Sequence, residues 1–113
     1  MKSYKQINKD QNAFAREYHK SSPEILDGFM AMHKAAMEKG ALDVKVKEMM
    51  ALSISIASRC DGCIASHAKA ALRAGATREE LIETINVSLM MGGGPAVIYG
   101  TQALAAVDEF LAG

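Results

Sequence analysis

Apolar residues recur along this chain with the period of a helix, not of a strand. Leu26, Phe29, Met30, His33 and Met37 fall on one helical face, and Leu81, Ile82, Ile85 and Leu89 mark another. Punctuation divides the chain into six predicted helices. The first covers roughly Asp10 to His19, with modest apolar content. Ser22-Pro23-Glu24 opens the second, with Ser22 as cap, Pro23 at the first helical position and an acid in the first turn, and Gly40 is its stop. Asp43 caps a third helix running to about Ser58. Met49, Met50, Leu52, Ile54, Ile56 and Ala57 make it apolar nearly all round, which predicts burial. The fourth begins near Asp61 and ends at Gly75. Thr77-Arg78-Glu79-Glu80 is a capping box for the fifth. Gly92-Gly93-Gly94-Pro95 breaks the chain before a last helix that runs to about Phe110. No segment alternates as a strand would, so the fold class is all-α, with no internal repeat.

Composition agrees with this picture. The chain has 113 residues, the length of one domain; half are hydrophobic but only 5% aromatic. A core must therefore come from Ala, Leu, Ile, Val and eight Met, which suits packed helices. So small a domain has a high ratio of surface to volume, and a second copy of itself is a natural cover for the excess apolar area. Thirteen basic and thirteen acidic residues cancel. No clustered Lys or Arg run provides the field that nucleic acid requires. The most apolar stretch, Met49 to Ala57, is about half of the ~20 residues a bilayer demands. The N-terminus has charge but no apolar core, so it does not read as a secretory signal. A cytoplasmic location is expected, and there paired cysteines point to redox chemistry or metal, not to a structural disulfide.

Cys60-Asp61-Gly62-Cys63 stands where the fourth helix begins. Unpaired N–H groups and the positive end of the helix dipole favour a thiolate there. Cys60, Cys63 and His67 are spaced three and four apart and share a face, so the imidazole can accept a thiol proton. Glu48 is the fourth candidate. If helices three and four form a hairpin near Ser58, Glu48 lies ten residues before the turn and His67 nine after it, so the two meet side by side. A carboxylate there fixes the tautomer of the ring and raises its basicity. The competing readings are structural zinc and inert thiols. Cys60, Cys63 and His67 supply only three of the four ligands zinc wants, with Glu48 or water as the fourth. The bland reading of His67 is a helix-surface histidine, against which its place on the cysteine face argues, and that of Glu48 alone is a solvated early-helix acid. His33 on the apolar stripe reads as a core or interface histidine and is left outside the site. The Met cluster is core filling or an oligomer surface, not a metal site. Gly92-Gly93-Gly94 lacks the Lys-Ser/Thr of a phosphate loop and reads as a tight interhelical break.

Glu48, eleven intervening residues, Cys60-x-x-Cys63, three more and His67 together resemble the core of the AhpD-like alkylhydroperoxidases, within the carboxymuconolactone decarboxylase superfamily. The similarity covers about residues 23–110 of a single domain spanning 1–113, and includes the Gly-Ala-Thr-x-Glu-Glu-Leu stretch at 75–81. The resemblance implies a reductive peroxidase or thiol–disulfide oxidoreductase. Cys63 would attack the peroxide and become a sulfenic acid. Cys60 would relay a proton and condense with it to a disulfide, while His67 and Glu48 shuttle protons. It implies no bound cofactor or metal, a dithiol such as lipoamide as external reductant, and a homo-oligomer, trimer or hexamer. Non-catalytic redox sensing and a decarboxylase or isomerase activity are the alternatives; the lactone decarboxylase that gives the superfamily its name does not depend on a CxxC pair. The well-known peroxidases are longer, and carry a histidine directly before the second cysteine, where this chain has Gly62.

Overall fold

The computed structural model describes residues 2–113. Within them the chain is all-helical: α1 (Tyr4–Ser21), α2 (Pro23–Met37), α3 (Val44–Ala57), α4 (Asp61–Arg73), α5 (Arg78–Gly92) and α6 (Gly94–Leu111). α3 and α4 form the predicted hairpin. α5 packs on α3 and α6, α6 also lies against α4, and α1 lies along α4. No helix among the described residues is long and apolar enough to cross a membrane.

The core is built from one face of each of four helices. Leu52 and Ile56 of α3, Ile64, Ala65, Ala68 and Ala71 of α4, Leu81 of α5, and Ala103, Ala106 and Val107 of α6 are fully buried. The run of alanines lets helix backbones approach closely. At Gly100 the approach is tighter still, because a Cβ there would stand 2.4 Å from Leu89 Cδ1 and 3.0 Å from Ile85 Cγ2. The reading of Thr77 holds: its hydroxyl accepts from the Glu80 N–H, and the Glu80 carboxylate accepts from the Thr77 N–H.

The turn between α3 and α4 determines where the cysteines stand. The Arg59 N–H donates to the Ile56 carbonyl and the Cys60 N–H to the Ser55 carbonyl, the paired bonds of a Schellman motif. Arg59 itself takes a left-handed φ of 55°. The same pair of bonds closes α4, but there the left-handed position is held by Gly75, at φ 98°. The CxxC segment thus follows a turn that bears a side chain where glycine is the easier residue.

Four local expectations are corrected. α1 begins at Tyr4, not near Asp10, because its start is fixed from outside: Ser3 Oγ accepts from the Gln6 N–H, and the Glu109 carboxylate of α6 accepts from the Tyr4 N–H at 2.7 Å and the Lys5 N–H at 3.2 Å. Ser22 and Asp43 occupy their cap positions without a side-chain cap bond. Ser22 is the single residue between α1 and α2, while Asp43 turns toward Lys39 at 3.6 Å. α2 ends at Met37, before the Gly40 stop, where Glu38 turns to extended backbone. Finally, α3 is not buried all round. Its outer side has no neighbour within one chain, and Ile54 stays 63% exposed with Met50 beside it on the surface. Most of the described methionines follow suit: Met30, Met32, Met90 and Met91 are exposed, and among the described residues Met49 is the one methionine that packs against the core.

Candidate redox site

Cys60 occupies the N-cap of α4, in extended conformation, and Cys63 lies in the first turn. The two are joined as a disulfide with Cα atoms 5.2 Å apart. Cys60 Sγ accepts a hydrogen bond from the Cys63 N–H at 3.2 Å. That bond occupies one of the donors left free at a helix start, the place where negative charge on sulfur is most favoured. Both cysteines are half-buried.

One turn beyond Cys63, His67 meets Glu48 across the hairpin. His67 Nδ1 lies 2.7 Å from Glu48 Oε1. Glu48 is one of three buried polar residues in the chain's described part, at 8% exposure. Its burial follows from its register: it shares the inward face of α3 with Leu52 and Ser55, so a carboxylate is carried into the interface with α4. A carboxylate in such a place requires a partner, and the imidazole supplies it. With Nδ1–H donating to Glu48, Nε2 is the ring nitrogen left to receive a proton.

The structure therefore brings together Cys60, Cys63, His67 and Glu48 along the α3–α4 hairpin. It adds two neighbours outside the sequence-derived set. His33 of α2, set aside as a core or interface histidine, has its ring stacked on that of His67, with centroids 6.3 Å apart and planes inclined by 19°. Its half-buried state and its place on a helix with no buried residue are the signals that distinguish it, and both require the structure. Tyr4 is the second. It is 2% exposed, and its hydroxyl lies 3.0 Å from Asp61 Oδ1, the residue directly after Cys60. Burial, and then the Asp61 carboxylate, push the phenol far above its ordinary range, so it remains a proton donor. Lys2 Nζ lies 2.9 Å from the other oxygen of Asp61.

α1 also covers Gly62. A Cβ at that position would meet the Gln11 side chain at 3.7 and 3.9 Å, ordinary contact for a methyl but an obstruction for a longer side chain. The helix thus lies over the space beside Gly62. A cavity of about 540 Å³, lined by Lys5, Lys9, Lys69, Arg73 and Phe110 among others, lies toward the other end of α4 and does not reach the cysteines.

A hairpin of antiparallel helices with CxxC at the start of the second, and a Glu–His pair bridging the two, defines a class of helical proteins with a dithiol–disulfide centre. The sequence model of the carboxymuconolactone decarboxylase family matches residues 23–108, and the chain belongs to that family. It is 39% identical over 88 residues to an uncharacterised protein of Cupriavidus necator, covering 78% of each. It is 37% identical over 93 residues to an uncharacterised protein of the cox locus of Paracoccus denitrificans, covering 82% of this chain and 84% of the relative. Among solved structures, a carboxymuconolactone decarboxylase family protein from Legionella pneumophila superposes with a TM-score of 0.92 at 40% identity, over 95% of this chain and 96% of that one. A family member from Thermotoga maritima, for which a role in antioxidative response has been suggested, gives 0.84 at 27% identity, over 95% and 91%.

Proposed function

We propose that this protein is a CxxC-dependent reductase of hydroperoxides, cycling between dithiol and disulfide. The observation that carries the reading is the 2.7 Å bond between His67 and the buried Glu48, on the hairpin that bears the Cys60–Cys63 disulfide. In the reduced chain, His67 Nε2 takes the proton of Cys63, and Glu48 stabilises the resulting imidazolium. The Cys63 thiolate attacks the terminal peroxide oxygen. The O–O bond breaks, the alcohol leaves with a proton from His67, and Cys63 becomes a sulfenic acid. Cys60, whose sulfur already accepts the Cys63 N–H, then attacks as thiolate; hydroxide leaves as water and the disulfide forms. An external dithiol such as dihydrolipoamide returns two electrons and becomes a disulfide itself.

The reading includes self-association. Ile25, Phe29, Met32, Met50, Ile54, Met90, Met91 and Ile98 are large apolar side chains left exposed by a single chain, a density that favours a trimer or hexamer. Thiol counting tests the chemistry. Reduced protein given one equivalent of hydroperoxide should lose two thiols per chain and gain none of the oxidant's carbon. Unchanged thiols would overturn the peroxidase reading, as would a lactone decarboxylation that survives alkylation of both cysteines.

A further inference from the structure

The two residues between the cysteines include one charge, and α1 is built around it. Asp61 occupies the first position of α4, directly after Cys60. Two groups converge on it from outside the hairpin. The Tyr4 hydroxyl donates to Oδ1 at 3.0 Å, and Lys2 Nζ donates to Oδ2 at 2.9 Å. Gln102 Oε1 of α6 accepts from Lys2 and lies 3.1 Å from the Tyr4 hydroxyl, whose single proton it shares with Asp61. Tyr99 of α6 closes the group, with Lys2 Nζ 5.4 Å above its ring. The remaining titratable and charged groups at this end of the hairpin are Arg59 of the turn, Cys60 at the N-cap, Cys63 and His67 on α4, Glu48 of α3 and His33 of α2. Lys2 and Tyr4 lie outside residues 23–108 matched by the family's sequence model, Lys2 ahead of α1 and Tyr4 as its first residue.

A carboxylate beside the N-cap cysteine opposes a thiolate on that sulfur, whereas a carboxylate whose charge is engaged by a phenol and an ammonium opposes it less. We propose that Asp61, held by Tyr4 and Lys2, is a positioning residue that sets the thiolate population of Cys60 and with it the reduction potential of the Cys60–Cys63 couple. The ion pair with Lys2 is partly exposed and weak on its own. The buried phenol is the stronger element, because its hydroxyl must find an acceptor, and Asp61 is the charged one of the two within reach, beside Gln102 Oε1.

The proposal rests on the redox reading and concerns the step in which the disulfide is reduced. An external dithiol supplies two electrons and forms its own S–S bond. The Cys60–Cys63 bond breaks; of the two protons released by the donor, one is taken up by Cys63 and the other passes to solvent while Cys60 remains thiolate. Any group that favours that thiolate favours the reduced form.

Two conservative variants separate this from a merely structural role, because they move the couple in opposite directions. Asp61→Asn removes the charge and should lower the midpoint of thiolate absorbance in the reduced protein by about half a pH unit, roughly threefold in thiolate equilibrium. At pH above that midpoint, where the thiolate predominates, the disulfide should become easier to reduce by the same factor, ~15 mV at about 30 mV per decade. Tyr4→Phe keeps the buried ring but frees the carboxylate, and should raise the thiolate midpoint and make the disulfide harder to reduce. Redox titration against a dihydrolipoamide buffer, on full-length chains whose helicity matches wild type, reads both. Shifts of the same sign in the two variants, or no shift in either, would overturn the proposal while leaving the redox reading intact. A disulfide that the dithiol does not reduce in wild type would overturn both.

Discussion

Removing the His67 imidazole tests whether the Glu48 pair is held as tightly as its geometry requires. Glu48 and His67 meet at 2.7 Å, with side chains only 10% and 19% exposed. A hydrogen bond to a charged group contributes about 1.5–3 kcal/mol. Breaking a buried pair from one side costs more, about 3–5 kcal/mol, because the surviving charge has no partner. His67 retains some exposure and water can reach the vacated space, so His67→Leu should cost near the lower end, about 3 kcal/mol. Glu48→Gln keeps an acceptor for Nδ1–H and exchanges a charged bond for a neutral one, a loss of about 1 kcal/mol. The diagnostic case is the double variant. Glu48→Leu with His67→Leu leaves no orphaned charge, and should be more stable than His67→Leu alone despite carrying one more substitution. Urea unfolding of the oxidised chains at neutral pH, followed by far-ultraviolet circular dichroism at one fixed protein concentration, measures all of these. A double variant no more stable than His67→Leu alone would refute the reasoning and make the pair an incidental contact.

Three further outcomes follow from the packing. Gly100→Ala should destabilise by about 1 kcal/mol or less, since the added methyl presses on Ile85 at 3.0 Å while the end of the Leu89 side chain can swing aside and alanine is the better helix former; a loss of several kcal/mol would mean that Leu89 is locked in place. Arg59→Gly should stabilise by up to about 1 kcal/mol, because the left-handed position of the α3–α4 turn then carries no Cβ; a lower urea midpoint would show that the Arg59 side chain has a role of its own. The Ser3 hydroxyl, with help from the Tyr4 and Lys5 N–H groups, holds the Glu109 carboxyl below its ordinary range. A depressed carboxyl contributes stability that is complete above its unfolded value and lost as pH falls through the folded one. Amide exchange in α1 should therefore accelerate on acidification earlier than in α4, and Glu109→Gln should abolish that difference; equal acid sensitivity in the two helices would contradict it.

Much of this molecule is legible from local pattern. Pro23, the Thr77 capping box and the stop at Gly75 mark helix ends through interactions that lie within a few residues, and the structure keeps them. The meeting of Glu48 with His67 was accessible by counting from the turn, because an antiparallel hairpin makes sequence distance a guide to position. What escaped was whatever depends on another element. The start of α1 is invisible locally, since Glu109 of α6 holds its first N–H groups. The apolar circumference of α3 predicts burial, yet Met50 and Ile54 face outward, because hydrophobicity records that a face is to be covered without recording by which chain. Tyr4 and Asp61 are 57 residues apart, and neither has a periodic or motif signal pointing to the other. His33 was read from its stripe, whereas its closest aromatic neighbour belongs to α4.

The central claim is that Cys63, served by His67 and Glu48, consumes hydroperoxide and that Cys60 closes the cycle. Peroxide consumption with dihydrolipoamide as the only electron donor tests it most directly, measured on wild type, Cys63→Ser, Cys60→Ser and Glu48→Gln. The account predicts steady turnover by wild type, none by Cys63→Ser, a single stoichiometric sulfenic oxidation of Cys60→Ser without internal disulfide when the dithiol is omitted, and turnover by Glu48→Gln reduced by about a hundredfold. Steady turnover by Cys63→Ser, or Glu48→Gln as fast as wild type, would contradict it.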